Sequence, residues 1–261
     1  MPLQWMDVSR LSFYTMLLLE EVQIDWFPRF NVPQAEFATA LRAYPTVEWY
    51  LRHKCPQVNS WLDDVLKHNP QDLPDLRQAE LAVLSCFEDL LVYVHDPSIY
   101  DAQPFLNWDD DELLSITDFT GKTVIDVGAG TGRLTFAVKD ARTIFAVEPV
   151  ANLRAYIRRK AQDRGLTNIF PVSGLITQIP FPDGFADITM GGHVFGDEPG
   201  AEYAELRRVT RPGGWIILCP GNRDIDDDRH QFLLAKGFSW QRFEEPQSAV
   251  VRKYWLQVSP D

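Results

Sequence analysis

Residues 124–134 read Val-Ile-Asp-Val-Gly-Ala-Gly-Thr-Gly-Arg-Leu, a β-branched run that passes through three glycines at alternate positions into a helix-forming stretch. No other segment of the 261 residues limits the fold as tightly. Glycines let the chain turn sharply and let a ligand approach the backbone with no Cβ in the way. A helix starting there turns its free N–H groups and the positive end of its dipole to the same place. The segment predicts a strand–loop–helix unit holding a ligand with negative or hydrogen-bond-accepting groups. Spacing then separates two ligand classes. Dinucleotide loops read G-x-G-x-x-G, but here Gly128 and Gly130 are followed by Arg133 where the third glycine belongs. The pattern is instead Asp126-x-Gly128-Ala129-Gly130-x-Gly132. A carboxylate at the strand end repels a pyrophosphate and suits a ligand with an ammonium group.

The chain on either side fits such a unit. Thr123–Val127, Thr143–Val147, Ile169–Val172, Ile188–Met190 and Trp215–Cys219 read as strands. Leu134–Asp140, Ala151–Arg164, Ala201–Thr210 and Asp227–Lys236 read as the helices between them. This alternation predicts an α/β fold with a doubly wound, mostly parallel sheet. Phe238–Phe243 and Val250–Val258, parted by Glu244–Gln247, predict a hairpin-like ending with one antiparallel strand.

The first half is different. Leu17–Val22, the segment between Pro33 and Pro45, the stretch from Val47 to Leu51, Trp61–Leu66, Gln78–Val94 and Asp109–Ile116 all suit helices. The expected division is a helical lid or substrate domain over 1–118 and the sheet domain over 119–261. Charge divides the same way. Residues 1–120 hold 20 Asp and Glu against 7 Lys and Arg, whereas residues 121–261 hold 17 against 18. The whole net charge of −12 therefore belongs to the first half. That balance argues against nucleic acid or an anionic membrane surface as partner. No run of apolar residues is long enough for a membrane helix, and Leu11–Leu19 lacks the basic flank of a signal peptide. Three widely spaced cysteines, Cys55, Cys86 and Cys219, suggest a reducing, cytoplasmic setting rather than a disulfide framework. His53 and Cys55 have no second ligand pair at zinc spacing, so no metal is expected.

The sequence resembles the class I S-adenosylmethionine-dependent methyltransferases over roughly residues 95–258. Beyond the glycine loop, the resemblance rests on Ile144–Pro149 as a second strand ending in Glu148, and on Ile179–Ile188 leading into a fourth strand. Glu205–Val209 matches the helix that precedes the family's fifth strand, and Arg211–Leu218 the turn and that strand itself. The resemblance implies a seven-stranded, Rossmann-like sheet with S-adenosylmethionine as cofactor. It implies that Gly128, Ala129, Gly130, Gly132 and Arg133 surround the methionine half and that Asp126 faces the ammonium. Glu148 would take the ribose diol and Pro149 would press on adenine. The family's Gly-Asp after the third strand is Gly174-Leu175 here, so adenine must be held by backbone or by a neighbour such as Thr177 or Gln178.

Methyl transfer from a sulfonium is an in-line displacement whose main demand is alignment and exclusion of water. The acceptor side should include Met190–Asp197, with Gly192 near the cofactor and His193 as candidate base. The resemblance also implies that Tyr100, in the approach segment that in the family often folds over the cofactor, is a cofactor contact. Trp5, Trp26, Trp49, Trp61 and Trp108 are expected in the helical core, and Asp109–Glu112 as a solvated helix start. The expected reaction is methylation of a small, neutral or cationic acceptor. The alternatives are methylation of a basic protein, or a binding protein that kept the fold without catalysis.

Overall fold

The structure, a computed structural model, describes residues 6–107, 109–220, 224–244 and 250–259. Trp5, Trp108 and most of the expected turn at Glu244–Gln247 lie outside the described residues. The chain forms two compact units, Met1–Tyr100 and Asp101–Asp261.

The first unit is helical: α1 (Glu21–Asp25), α2 (Gln34–Ala43), α3 (Pro45–Lys54), α4 (Asn59–His68), α5 (Leu76–Cys86) and α6 (Glu88–His95), with α7 (Pro97–Asp101) ending it. Pro45 sits in the first turn of α3, where its missing N–H costs nothing. The expected helix over Leu17–Val22 is a 3₁₀ turn at Phe13–Leu18 followed by α1, whose start carries a Glu20–Gln23 capping box. Gln78–Val94 is not one helix but two. The break falls at Phe87, whose ring stacks on Phe27 at 4.1 Å and meets Phe37 edge-on. Burying each ring is worth about 1.5–3 kcal/mol, more than an uninterrupted turn of helix gains. Trp26 and Trp61 pack at the rim of this core, whereas Trp49 is largely exposed and stacks on His53.

The second unit opens with α8 (Asp111–Leu114) and carries the sheet: β1 (Thr123–Val127), α9 (Arg133–Ala137), β2 (Thr143–Val147), α10 (Ala151–Asp163), β3 (Ile169–Val172), β4 (Ala186–Gly192), α11 (Pro199–Val209), β5 (Thr210–Cys219), α12 (Asp228–Ala235), β6 (Ser239–Glu244) and β7 (Val250–Gln257). The seven strands lie in the order β3-β2-β1-β4-β5-β7-β6. β1 to β5 are parallel, and β7 runs antiparallel to both its neighbours. Alternate residues of the central strands feed two cores: Val124, Ile144, Ile188 and Ile217 on one face, Ile125, Val127, Ile216 and Leu218 on the other. Burial on both faces is why β1 reads as an unbroken apolar run apart from Asp126.

The unit begins at Asp101, earlier than the expected boundary at 118. The reason is anchoring: Asp101 pairs with Lys160, Arg133 bonds Leu106 and Asp110, and Leu113 lies in the core under the sheet. The order of strands reverses between β1 and β4, the place where open α/β sheets bind ligands beyond their carboxyl ends.

Candidate functional site

β1 ends at that reversal, and the glycine loop follows. Gly128, Gly130 and Gly132 have φ of 66°, 56° and 89°, a left-handed region costly for any residue with a Cβ. Packing adds a second constraint. A Cβ on Gly128 would lie 2.6 Å from Val194, and one on Gly132 would lie 2.7 Å from the Phe136 ring. The loop is tied down by its backbone: the N–H groups of Gly128 and Ala129 donate to the Val147 carbonyl at 2.8 and 3.1 Å. Gly132 donates to Ala129 at 2.7 Å.

Two buried carboxylates flank the loop. Asp126, 1% exposed, accepts the Thr135 hydroxyl through Oδ2 at 2.5 Å, while its Oδ1 has no hydrogen-bond partner in the protein. Glu148, just beyond β2, accepts Gly130 N–H through one oxygen and Val150 N–H through the other, each at 2.9 Å. Burial pushes both carboxyls up to about 7, against the opposing pull of their hydrogen bonds. Arg154 holds the chain at this point by donating to the carbonyls of Glu148 and Pro149, at 2.7 and 2.5 Å.

Gly174 is required by packing, since a Cβ there would meet Pro180 at 2.7 Å. Leu175 is 38% exposed beside it, in a tight turn closed by Gln178, and presents an apolar face where the resembling family often has a carboxylate. Gly192 ends β4, with Leu134 above it. His193 follows with φ of 57°, the one non-glycine residue at positive φ among those described, and its N–H donates to Cys219 at 3.0 Å. Its surface is open to solvent, yet packed neighbours desolvate the imidazole and hold its pKa below the usual value. The Arg133 side chain turns to the Leu106 carbonyl and to Asp110, both at 2.6 Å. Tyr100 belongs to the first unit, where it packs edge-on against Tyr93; Asp101, the next residue, belongs to the second.

Sequence reasoning missed three contributors. Thr135 caps Asp126 from the first turns of α9. Lys160 donates to Asp101. Glu202, buried on α11, accepts the N–H groups of Gly196, Asp197 and Glu198 at 2.7, 3.1 and 2.9 Å and so fixes the segment after β4. Only Thr135 left a trace, a hydroxyl on the helix directly after the acidic strand end.

A buried carboxylate oxygen without a protein partner, beside a loop of left-handed glycines, fits a ligand that brings its own cationic donor. Among the described residues, no three His, Cys, Asp or Glu side chains gather as a metal site.

Residues 125–218 match the family model described as a methyltransferase domain. A demethylmenaquinone methyltransferase of Geobacillus stearothermophilus is 30% identical over 131 residues, 47% of this chain and 54% of the relative. An uncharacterized methyltransferase of Mycobacterium bovis is 30% identical over 105 residues, 40% of this chain and 41% of that one. The chain thus spans about half the length of the curated relatives it matches first. Among solved structures, the [4+2]-cyclase SpnF shares the fold with a TM-score of 0.51 at 17% identity, over 58% of this chain and 80% of that one. Strand order, glycine loop and these matches together support a class I S-adenosylmethionine-dependent methyltransferase domain around the matched segment, and that cofactor suits the oxygen of Asp126 that has no partner in the protein.

Proposed function

We propose that the protein transfers a methyl group from S-adenosylmethionine to a small-molecule acceptor. The observation that carries this reading is the pair of buried carboxylates on one glycine loop, Asp126 with a free Oδ1 and Glu148 bonded to Gly130. Asp126 would meet the cofactor's ammonium directly or through water. Glu148, whose ionised form only accepts hydrogen bonds, would take the ribose diol. Leu175 would lie against adenine, with Pro149 near it. The bound sulfonium supplies an already activated methyl group.

The chain's own task is then to orient the acceptor and exclude water. His193, after β4 at the same end of the sheet, is the proposed base for an acceptor that must lose a proton. Its lowered pKa leaves the imidazole neutral, and able to accept, at neutral pH. The acidic helical unit is proposed to select neutral or cationic acceptors over anionic ones. The relatives named for demethylmenaquinone favour a small acceptor over a protein. The described residues contain no helix long and apolar enough to cross a membrane, and a cytoplasmic setting is proposed from the free cysteines.

Calorimetric titration with S-adenosylmethionine and S-adenosylhomocysteine, beside NADH, tests the reading. Micromolar binding of the first two, lost in Asp126→Ala and Glu148→Ala, is the expected result. A folded protein that binds neither would refute it. An acceptor panel of neutral, cationic and anionic small molecules and a basic protein then tests acceptor class. Preference for carboxylates or for the protein would overturn that part.

A further inference from the structure

The glycine loop needs tethers, because three left-handed glycines in five residues give its chain much conformational freedom to lose. Its N–H groups are held by Val147 and Glu148. Its carbonyl at Thr131 faces the Lys160 ammonium, 3.4 Å away. Lys160 reaches this position from α10 past the rings of Phe136 and Tyr156, with its side chain only 17% exposed. Burial disfavours its charge, and Arg164 and Arg133 repel it. A lysine in such surroundings swings out to water unless an anion holds it.

Asp101 is that anion. Its carboxylate receives Lys160 twice, at 2.7 and 2.8 Å, and the Tyr156 hydroxyl at 2.9 Å. These bonds outweigh burial and keep the carboxyl below its ordinary range. The same logic recurs along residues 101–112, which carry no basic side chain. Asp110 pairs with Arg133 at the start of α9, and Glu112 with the buried Lys253 of β7. The acidic tract is thus partly engaged in ion pairs to the sheet unit and is not simply a solvated helix start.

We propose that Asp101 is a positioning residue for the cofactor loop, acting through Lys160 on the carbonyl of Thr131. The proposal rests on the reading of that loop as the S-adenosylmethionine site. Removing the carboxylate would release Lys160, free the middle of the loop, and weaken cofactor binding without touching the cofactor.

The test uses the full chain with Asp101→Asn, Lys160→Met, the double variant and Lys160→Arg. Two quantities are read: the S-adenosylhomocysteine dissociation constant, and hydrogen exchange of the amides from Gly130 to Leu134 without ligand. Asp101→Asn and Lys160→Met should each weaken binding about tenfold, as expected for loss of a charge-assisted hydrogen bond. The double variant should be no weaker than either, Lys160→Arg should restore most of the affinity, and loop amides should exchange faster while β4 and β5 stay protected. Unchanged affinity in folded Asp101→Asn and Lys160→Met, or additive losses in the double variant, would overturn the proposal. Faster loop exchange in a protein whose wild type binds no S-adenosylhomocysteine would sink the cofactor reading while leaving Asp101 as the tether of the loop.

Discussion

The carboxylate of Glu148 accepts the backbone N–H of Gly130 at 2.9 Å, so the end of β2 and the middle of the glycine loop form one hydrogen-bonded unit. The side chain assigned to the ribose therefore also holds the loop assigned to the methionine half. Glu148→Ala leaves the buried N–H of Val150 and the half-buried N–H of Gly130 without an acceptor. An unsatisfied buried donor costs about 1–3 kcal/mol. The variant should lose cofactor binding and also melt several degrees lower without ligand. Glu148→Gln keeps one oxygen for these donors and should fall between. Thermal melts with and without S-adenosylhomocysteine measure both effects; a Glu148→Ala protein as stable as wild type would show that the loop does not depend on the carboxylate.

Gly128→Ala should be damaging for two separable reasons. Its φ of 66° strains any Cβ, and the added atom would lie 2.6 Å from Val194. The strain alone costs about 1–2 kcal/mol. Val194→Gly in the same chain removes both the Cγ2 and the Cβ contact, at 2.6 and 2.7 Å, and leaves the strain, so the double variant should recover part of the stability lost by Gly128→Ala. Denaturant midpoints of the four proteins close this cycle. No recovery would place the entire cost in the backbone.

Much of the sheet is legible in the amino-acid sequence. β1, β2 and β3 fall at the expected residues because each is a short apolar run bounded by polar or turn-forming residues; β1 and β2 are largely buried, whereas β3, at the edge of the sheet, leaves Phe170 exposed. Gly128, Gly130 and Gly132 announce the loop because positive φ restricts residue type so strongly. The break at Phe87 is not legible. No Gly or Pro marks it, and its cause is a ring stack with Phe27, sixty positions away in sequence. Asp101 is hidden behind Tyr100 for the same reason: Lys160 lies on a helix two strands later. Glu202 reads as an ordinary first-turn carboxylate, and only the folded loop brings three N–H groups to it.

Burial of Asp126 and Glu148 gives a pH dependence of defined sign. Their carboxyls are pushed up to about 7 in the folded chain, whereas in the unfolded chain they titrate near 4. Between these values the folded state binds more protons, so these two groups make stability fall as pH rises from about 4 to 7 and level off above. A ligand that needs both groups ionised opposes this trend. Its binding must release protons near neutrality, and its affinity should drop as pH falls below about 7. Calorimetry in buffers of different ionisation enthalpy reads the released protons directly. Asp126→Asn should remove part of the pH dependence of the ligand-free melt. Binding with no proton release at pH 6.5 would mean that these carboxylates are already ionised, or that the cofactor does not engage them.

Glu202 offers the sharpest contrast between a surface carboxylate and one that organises a loop. It lies on the first turns of α11, is 1% exposed, and receives the N–H groups of Gly196, Asp197 and Glu198. Gly196 has φ of 127° and is covered by Arg229, so this stretch has little room to rearrange. Glu202→Ala strips all three donors of their acceptor and should cost about 2–4 kcal/mol. Glu202→Gln keeps one carbonyl oxygen, loses the charge, and should cost less than half of that. Because the segment from His193 to Glu198 is proposed to carry the acceptor side, Glu202→Gln should raise the acceptor KM while leaving the S-adenosylhomocysteine dissociation constant within about twofold of wild type. A Glu202→Gln enzyme whose cofactor affinity falls as far as its acceptor affinity would place the segment after β4 on the cofactor side instead.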